Sequence, residues 1–315
     1  MARITAIASY VPGLYEDNLQ KQEKFNVDRE FILNKLGVRR VSRKGEAEDT
    51  SDMCVKAFHA LPEEDRPERT DCIVVCTQNP DGGGIPHVSA IVHGKLGLEE
   101  DCACFDIALG CSGYVYSLSI LQSFMESNGF ATGLLFTADP YSKIIDPDDK
   151  NTAMLFGDAA TVTVLKNGTD AGDGFLLDRF VFQTRGADWD ALHNADGSLF
   201  MNGRAIFNFA LTNVPVQVDR LLDMSGLETK DVDLFLFHQG SKFIVDNLRK
   251  KMGLLPEQVP MEIEQYGNTV SSSIPLLLEL VLKEKDKRII VMSGFGLGLS
   301  WASCLAIRDQ SGLRG

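Results

Sequence analysis

The sequence predicts a layered α/β/α/β/α fold made from two copies of one architecture. Short apolar runs bounded by polar turns alternate with helical stretches, and the same order recurs in the second half of the chain. A polar, glycine-rich stretch, residues 167–174, separates the two. Strands alternating with helices imply helix-covered, mostly parallel sheets. The expected units are residues 1–170, carrying a candidate cysteine, and 171–315, carrying a histidine and an asparagine.

The opening residues alternate as a strand that stops at Pro12-Gly13, and their apolar run is too short for a signal peptide. Residues 28–36 read as helical and, with the loop 78–87, as pieces that cap the first half. Residues 51–61 place Met53, Ala57 and Phe58 on one side of an amphipathic helix. Residues 71–79 and 102–111 read as strands, 112–127 as a helix and 133–138 as a strand. The run 156–165 reads as a last strand opened by Phe156-Gly157. The second half offers strand 233–238, a helix introduced by residues 266–275, strand 288–293 and a closing strand 295–307, again opened by Phe-Gly.

The 315 residues are 44% hydrophobic and 24% charged, which excludes disordered and collagen-like classes. Asp and Glu exceed Lys and Arg by 44 to 31, a net charge of −13, so broad nucleic-acid or anionic-membrane binding is not expected. The seven cysteines lie mostly in apolar runs such as 72–76, the pattern of small core residues in a reducing compartment. With no paired CxxC spacing and no HxxxH, no metal site is expected. The longest greasy stretch, residues 274–282, contains Pro275 and Glu279 and falls short of the ~18 residues a membrane span needs. These features point to a cytoplasmic protein.

Three residues stand out chemically. Cys111, in Gly-Cys-Ser-Gly, follows a strand and precedes a helix, where the positive end of the helix dipole lowers a thiol pKa. His238 falls where an apolar strand runs out, at the carboxyl edge of a sheet, the usual ligand position in parallel α/β folds. Asn268 follows Gly267 at the start of the second-half helix that corresponds to the one Cys111 opens. A pseudo-twofold axis would bring all three together. The series 293–298 has GxGxG rather than GxGxxG spacing and precedes a strand, so it suits an amide aimed at an oxyanion better than a dinucleotide.

These motifs resemble the thiolase superfamily, most closely the ketoacyl-acyl carrier protein synthase III group. The similarity runs through residues 4–12, Leu36-Gly-Val-Arg39, residues 105–114, Phe156-Gly-Asp158, His238-Gln239, Tyr266-Gly-Asn-Thr269 with Ser273-Ile-Pro275, and the glycine-rich close before Trp301. The resemblance implies a five-layered thiolase fold and a Cys111, His238, Asn268 site. Cys111 would be the nucleophile, with an oxyanion held by backbone N–H groups of Cys111 and of the loop Gly296, Leu297, Gly298.

It further implies an acyltransferase of fatty acid or polyketide biosynthesis that joins the acyl group to a malonyl thioester with loss of carbon dioxide. Acyl carrier protein or coenzyme A thioesters would be its substrates. No permanently bound cofactor and a homodimeric state are also implied. The alternatives are acyl transfer to an alcohol or amine without decarboxylation, or a non-catalytic partner subunit.

Departures from the family pattern bear on the donor. Phe31, Lys35 and Phe243 stand where coenzyme A-primed members often carry Trp, Arg and Arg, which weakens adenine stacking and bidentate phosphate contact. An acyl carrier protein or an unusual thioester, rather than short-chain acyl-coenzyme A, is therefore the expected donor, with Lys242 and Arg249, then Lys250, Lys251 and Arg204, as basic contacts for an acidic carrier. Phe207 joins the expected substrate-contacting residues. Ile85 tips a Gly-rich loop that, in the family, closes the partner's acyl pocket.

Overall fold

The computed structural model describes residues 2–168 and 173–308. The boundary expected between residues 170 and 171 lies outside the described residues.

Nine strands form one continuous sheet: β1 (Arg3–Tyr10), β2 (Cys72–Cys76), β3 (Ala103–Ile107), β4 (Thr132–Ala138), β5 (Ala160–Lys166), β6 (Phe175–Thr184), β7 (Leu234–Phe237), β8 (Ile289–Gly296) and β9 (Ser300–Arg308). Their spatial order is β7-β8-β9-β6-β1-β5-β4-β2-β3. Among the described residues the order falls into two half-sheets that meet where Arg3 and Ile4 of β1 pair with Leu176 and Phe175 of β6. Among the nine strands, parallel pairing is confined to β2 with β3, β2 with β4 and β7 with β8. The other neighbours run antiparallel, contrary to the mostly parallel expectation, because the last strand of each half returns without a helical crossover.

Helices fill three layers. On the outside of the first half-sheet lie α1 (Thr50–His59) and α2 (Val88–Leu96); on the outside of the second lie α4 (Gly203–Ser225) and α5 (Lys242–Lys251). Between the half-sheets lie α3 (Gly113–Asn128) and α6 (Ser273–Leu282). Tyr114, Val115, Leu118, Leu121 and Met125 of α3 share one buried core with Ile274, Leu277, Leu278 and Val281 of α6. Strand residues of both halves complete that core, among them Val74, Leu135, Leu236 and Met292. Each central helix is thus apolar over most of its circumference, as a doubly covered helix must be. The result is the α/β/α/β/α stack.

Two local readings are corrected. Phe295-Gly296 ends β8 rather than opening β9, so the resemblance between the two Phe-Gly pairs does not extend to their place in the sheet. The helical turn Phe31–Leu36 packs on α5 of the second half, and Arg39 and Arg40 donate their backbone N–H groups to Glu264 O. This piece therefore bridges the halves instead of capping the first.

Candidate active site

Cys111 occupies the turn between β3 and α3, two residues before the helix begins, and is 4% exposed. The end of β8 lies directly against it. A Cβ on Gly296 would stand 3.0 Å from both the Cβ and the Sγ of Cys111, so no larger residue fits there without displacing the sulfur. The backbone amides of Leu297 and of Cys111 itself favour the charged form of the sulfur. The lowered thiol pKa expected from the helix dipole is not what the structure produces. Burial pushes the Cys111 thiol up to about 12, the charge of Asp139 adds to this, and the two amides offset only part of it. With the sulfur enclosed, water cannot solvate a thiolate, and that loss outweighs the helix field.

His238 follows β7, and its backbone N–H donates to Ser293 O at 2.9 Å. Its ring meets Phe295 edge to face, with centroids 5.5 Å apart. Burial pushes the imidazole down to about 3, while a backbone hydrogen bond at Val270 works the other way, so the ring is neutral at pH 7. Ser273 Oγ lies 2.7 Å from His238 Nδ1 and 3.0 Å from Val270 O. Its single hydroxyl proton serves one or the other; given to Nδ1, it leaves the imidazole proton on Nε2.

Asn268 does not open α6 but precedes it by five residues. First-half backbone holds it: its N–H donates to Leu155 O at 2.8 Å, and its carbonyl accepts from Gly157 N at 3.0 Å. The two chains approach so closely that a Cβ on Gly157 would fall 1.7 Å from Tyr266 O. Asn268 Oδ1 accepts the Val270 N–H at 2.9 Å. Its Nδ2 makes no hydrogen bond among the described residues.

Cys111, His238 and Asn268 line one cavity of about 180 Å³. Phe31, Lys35, Phe207 and Phe243 form its exposed end. The rings of Phe207 and Phe243 stack at 4.9 Å, and Lys35 Nζ stands 5.7 Å from the Phe31 ring and 5.9 Å from that of Phe243. Other expected contacts lie elsewhere. Ile85 is 87% exposed and off this cavity. Lys242 folds against Gly37. Arg249 is tied to Asp246 at 3.8 Å and to Leu254 O. Gly298 walls a neighbouring cavity rather than this one.

Sequence reasoning passed over Lys150 and Asn151, which line the cavity from a short helical turn, Lys150–Ala153. It also passed over Asp139, a fully buried carboxyl that burial pushes up to about 6 and that accepts from Gln78 N and Ser271 Oγ. Ser273 was visible only as part of the Ser-Ile-Pro motif. Among the described residues no group of three His, Cys, Asp or Glu side chains is placed to hold a metal ion, and no helix is long and apolar enough to cross a membrane.

Two half-sheets around a shared helical layer, with both halves contributing to one buried cavity, define a thiolase-type enzyme. Residues 105–186 match the family model described as 3-oxoacyl-[acyl-carrier-protein (ACP)] synthase III, and residues 222–307 match the model of its C-terminal part. The chain is 31% identical to the β-ketoacyl-[acyl-carrier-protein] synthase III of Lactococcus lactis subsp. lactis, covering 96% of this chain and 98% of the relative. A crystallised 3-oxoacyl-(acyl-carrier-protein) synthase III superposes with a TM-score of 0.91 at 32% identity, covering 98% of this chain and 99% of the other. The Pseudomonas aeruginosa synthase III gives 0.89 at 30% identity, with 98% of each chain covered. The chain belongs to the β-ketoacyl-acyl carrier protein synthase III family and is an acyltransferase of the condensing type.

Proposed function

We propose that Cys111, His238 and Asn268 carry out a decarboxylative Claisen condensation, with an acyl group first held on Cys111. The observation that supports this reading is that the three side chains, drawn from both halves, share one buried cavity. In the first step the sulfur attacks an acyl thioester carbonyl, the carrier sulfur departs, and the thiol proton ends on that departing sulfur. The Cys111 and Leu297 amides would hold the tetrahedral oxyanion, a type of stabilisation worth roughly 3 to 4 kcal/mol per donor in proteases. In the second step a malonyl thioester loses its carboxylate as carbon dioxide, and the released electron pair forms an enolate.

Two neutral donors suit that enolate oxygen: His238 Nε2–H, when Ser273 donates to Nδ1, and the Asn268 Nδ2 left free by the Val270 bond. The enolate carbon then attacks the acyl-Cys111 carbonyl. Collapse of the adduct releases Cys111 as a thiolate, which takes a proton from solvent. Acyl carrier protein is the favoured donor, because the cavity's exposed end offers three phenylalanines and one lysine rather than stacked tryptophan and paired arginines. A homodimer fits the same reading.

Intact-protein mass spectrometry after incubation with acyl carrier protein and coenzyme A donors tests the first step. Carbon dioxide release and a product two carbons longer, on adding malonyl carrier, test the second. Acyl-Cys111 that turns over onto an alcohol or amine, with no carbon dioxide, would replace this reading with simple acyl transfer.

A further inference from the structure

Asp139, immediately after β4, is a carboxyl that the condensation chemistry leaves unassigned. It is fully buried, and no ion pair meets it among the described residues. A carboxylate so placed is costly unless several donors surround it. Its donors come from both halves of the chain. Gln78 N–H reaches Oδ1 at 2.7 Å from the loop after β2, and Ser271 Oγ reaches Oδ2 at 2.5 Å from the turn before α6. The Thr77 side chain and the Ser271 backbone amide favour the charged form as well.

Ser271 belongs to a turn, Val270–Ser272, whose backbone is strained. Val270 has a φ of +54°, the left-handed region that a β-branched residue disfavours. Such a conformation persists only where its surroundings fix it. Here the next two residues are tied to the end of β4 and the carboxyl beyond it: Ser271 to Asp139, and Ser272 Oγ to Thr137, 2.8 Å from Oγ1 and 3.2 Å from the carbonyl oxygen.

Val270 is also where the two enolate donors take their aim. Its N–H occupies Asn268 Oδ1 and leaves Nδ2 free. Its carbonyl lies 3.0 Å from Ser273 Oγ, which in turn lies 2.7 Å from His238 Nδ1. Toward Cys111, by contrast, Asp139 acts through its charge, which disfavours the thiolate. Asp139 itself does not line the cavity.

We propose that Asp139 is a positioning residue for the enolate donors: by holding Ser271 it fixes the strained turn, and through Val270 it sets the Asn268 amide and the His238 ring. The inference rests on Asn268 and His238 serving the decarboxylation step.

The test measures the two half-reactions of the full-length protein separately. Loading of Cys111 from an acyl carrier protein thioester is followed by intact mass, and carbon dioxide release from malonyl carrier is followed on the acylated enzyme. Asp139→Asn keeps the volume and removes the charge; Ser271→Ala removes the hydroxyl and keeps the charge. In both, carbon dioxide release per folded molecule is expected to fall about tenfold with the KM for malonyl carrier unchanged, a loss of the size a small misplacement of reacting groups produces. Loading should be unaltered in Ser271→Ala, and unaltered or faster in Asp139→Asn, where the opposing charge is gone. A purely structural role would lower the thermal midpoint without separating the half-reactions. Proportional loss of both, no loss, or a separation confined to one of two folded variants overturns the inference. Should one variant fail to fold, the other decides; failure of both would assign the contact to folding and overturn the inference as well. Asn268→Leu, run alongside, tells the two readings apart. If it separates the half-reactions and the other variants do not, this inference alone falls; if the unaltered protein releases no carbon dioxide, both fall.

Discussion

The clearest quantitative consequence concerns the reactivity of Cys111 in the free enzyme. A thiol pushed up to about 12 by burial is ionised at pH 7 in only about one molecule in 10⁵. Between pH 7 and pH 10 the thiolate population then rises about tenfold with each unit, and no plateau is reached within that range. Alkylation by iodoacetamide, followed by mass spectrometry of the Cys111 peptide at fixed reagent concentration, should give a logarithmic slope near one throughout. Asp139→Asn should shift the line toward faster alkylation, because the Asp139 charge is the second contributor raising the thiol. A rate that levels off below pH 9 would refute the argument that enclosure outweighs the helix field. It would mean that the helix dipole and the two amides dominate after all.

Three further outcomes are expected. Asn268→Leu, which keeps the side chain's approximate volume and removes Nδ2, should slow carbon dioxide release by ~100-fold or more while Cys111 still loads; equal loss of both steps would count against a donor role. Ser273→Ala removes the partner of His238 Nδ1. It should lower condensation about tenfold with much less effect on loading, read from the two half-reactions separately. Gly157→Ala puts a Cβ 1.7 Å from Tyr266 O, so it should lower the thermal midpoint by several degrees or prevent recovery of folded protein; an unchanged midpoint in differential scanning calorimetry would show that the backbone there is free to move.

Much of this architecture was legible in the sequence. The apolar runs 72–76 and 234–237 announce buried strands because nothing polar interrupts them, and the helix ending at Gly129 carries its stop signal in that glycine. The location of Cys111 and His238 at strand ends could be read for the same reason. Strand direction was harder. Whether β9 runs with or against β8 depends on the short turn 297–299, and a glycine there permits either a hairpin or a bend toward a helix.

The state of Cys111 was misjudged because sequence reveals the neighbouring helix but not the enclosure, and the enclosure decides. Asp139 and Ser271 left little trace, since their significance comes from a contact between a strand end and a turn that lie far apart along the chain. Lys242 and Arg249 illustrate the converse. A basic cluster on a helix marks a charged face, and the structure sets Lys242 against Gly37 and Arg249 beside Asp246 and Leu254 O, outside the cavity, which a contact for a carrier protein has no need to line.

The central layer has a consequence for how such a molecule could have arisen. α3 touches strands β8 and β9 of the other half, and α6 touches β1 and β5, so each half supplies the cover for its sibling's inner helix. A free-standing half would leave a greasy helix and one sheet face bare to water. Only two copies clasped together could have hidden them, which makes an ancient pair of identical chains, later fused end to end, the natural precursor. Separately produced halves of the present chain should accordingly be recovered in soluble form only when both are made in the same cell.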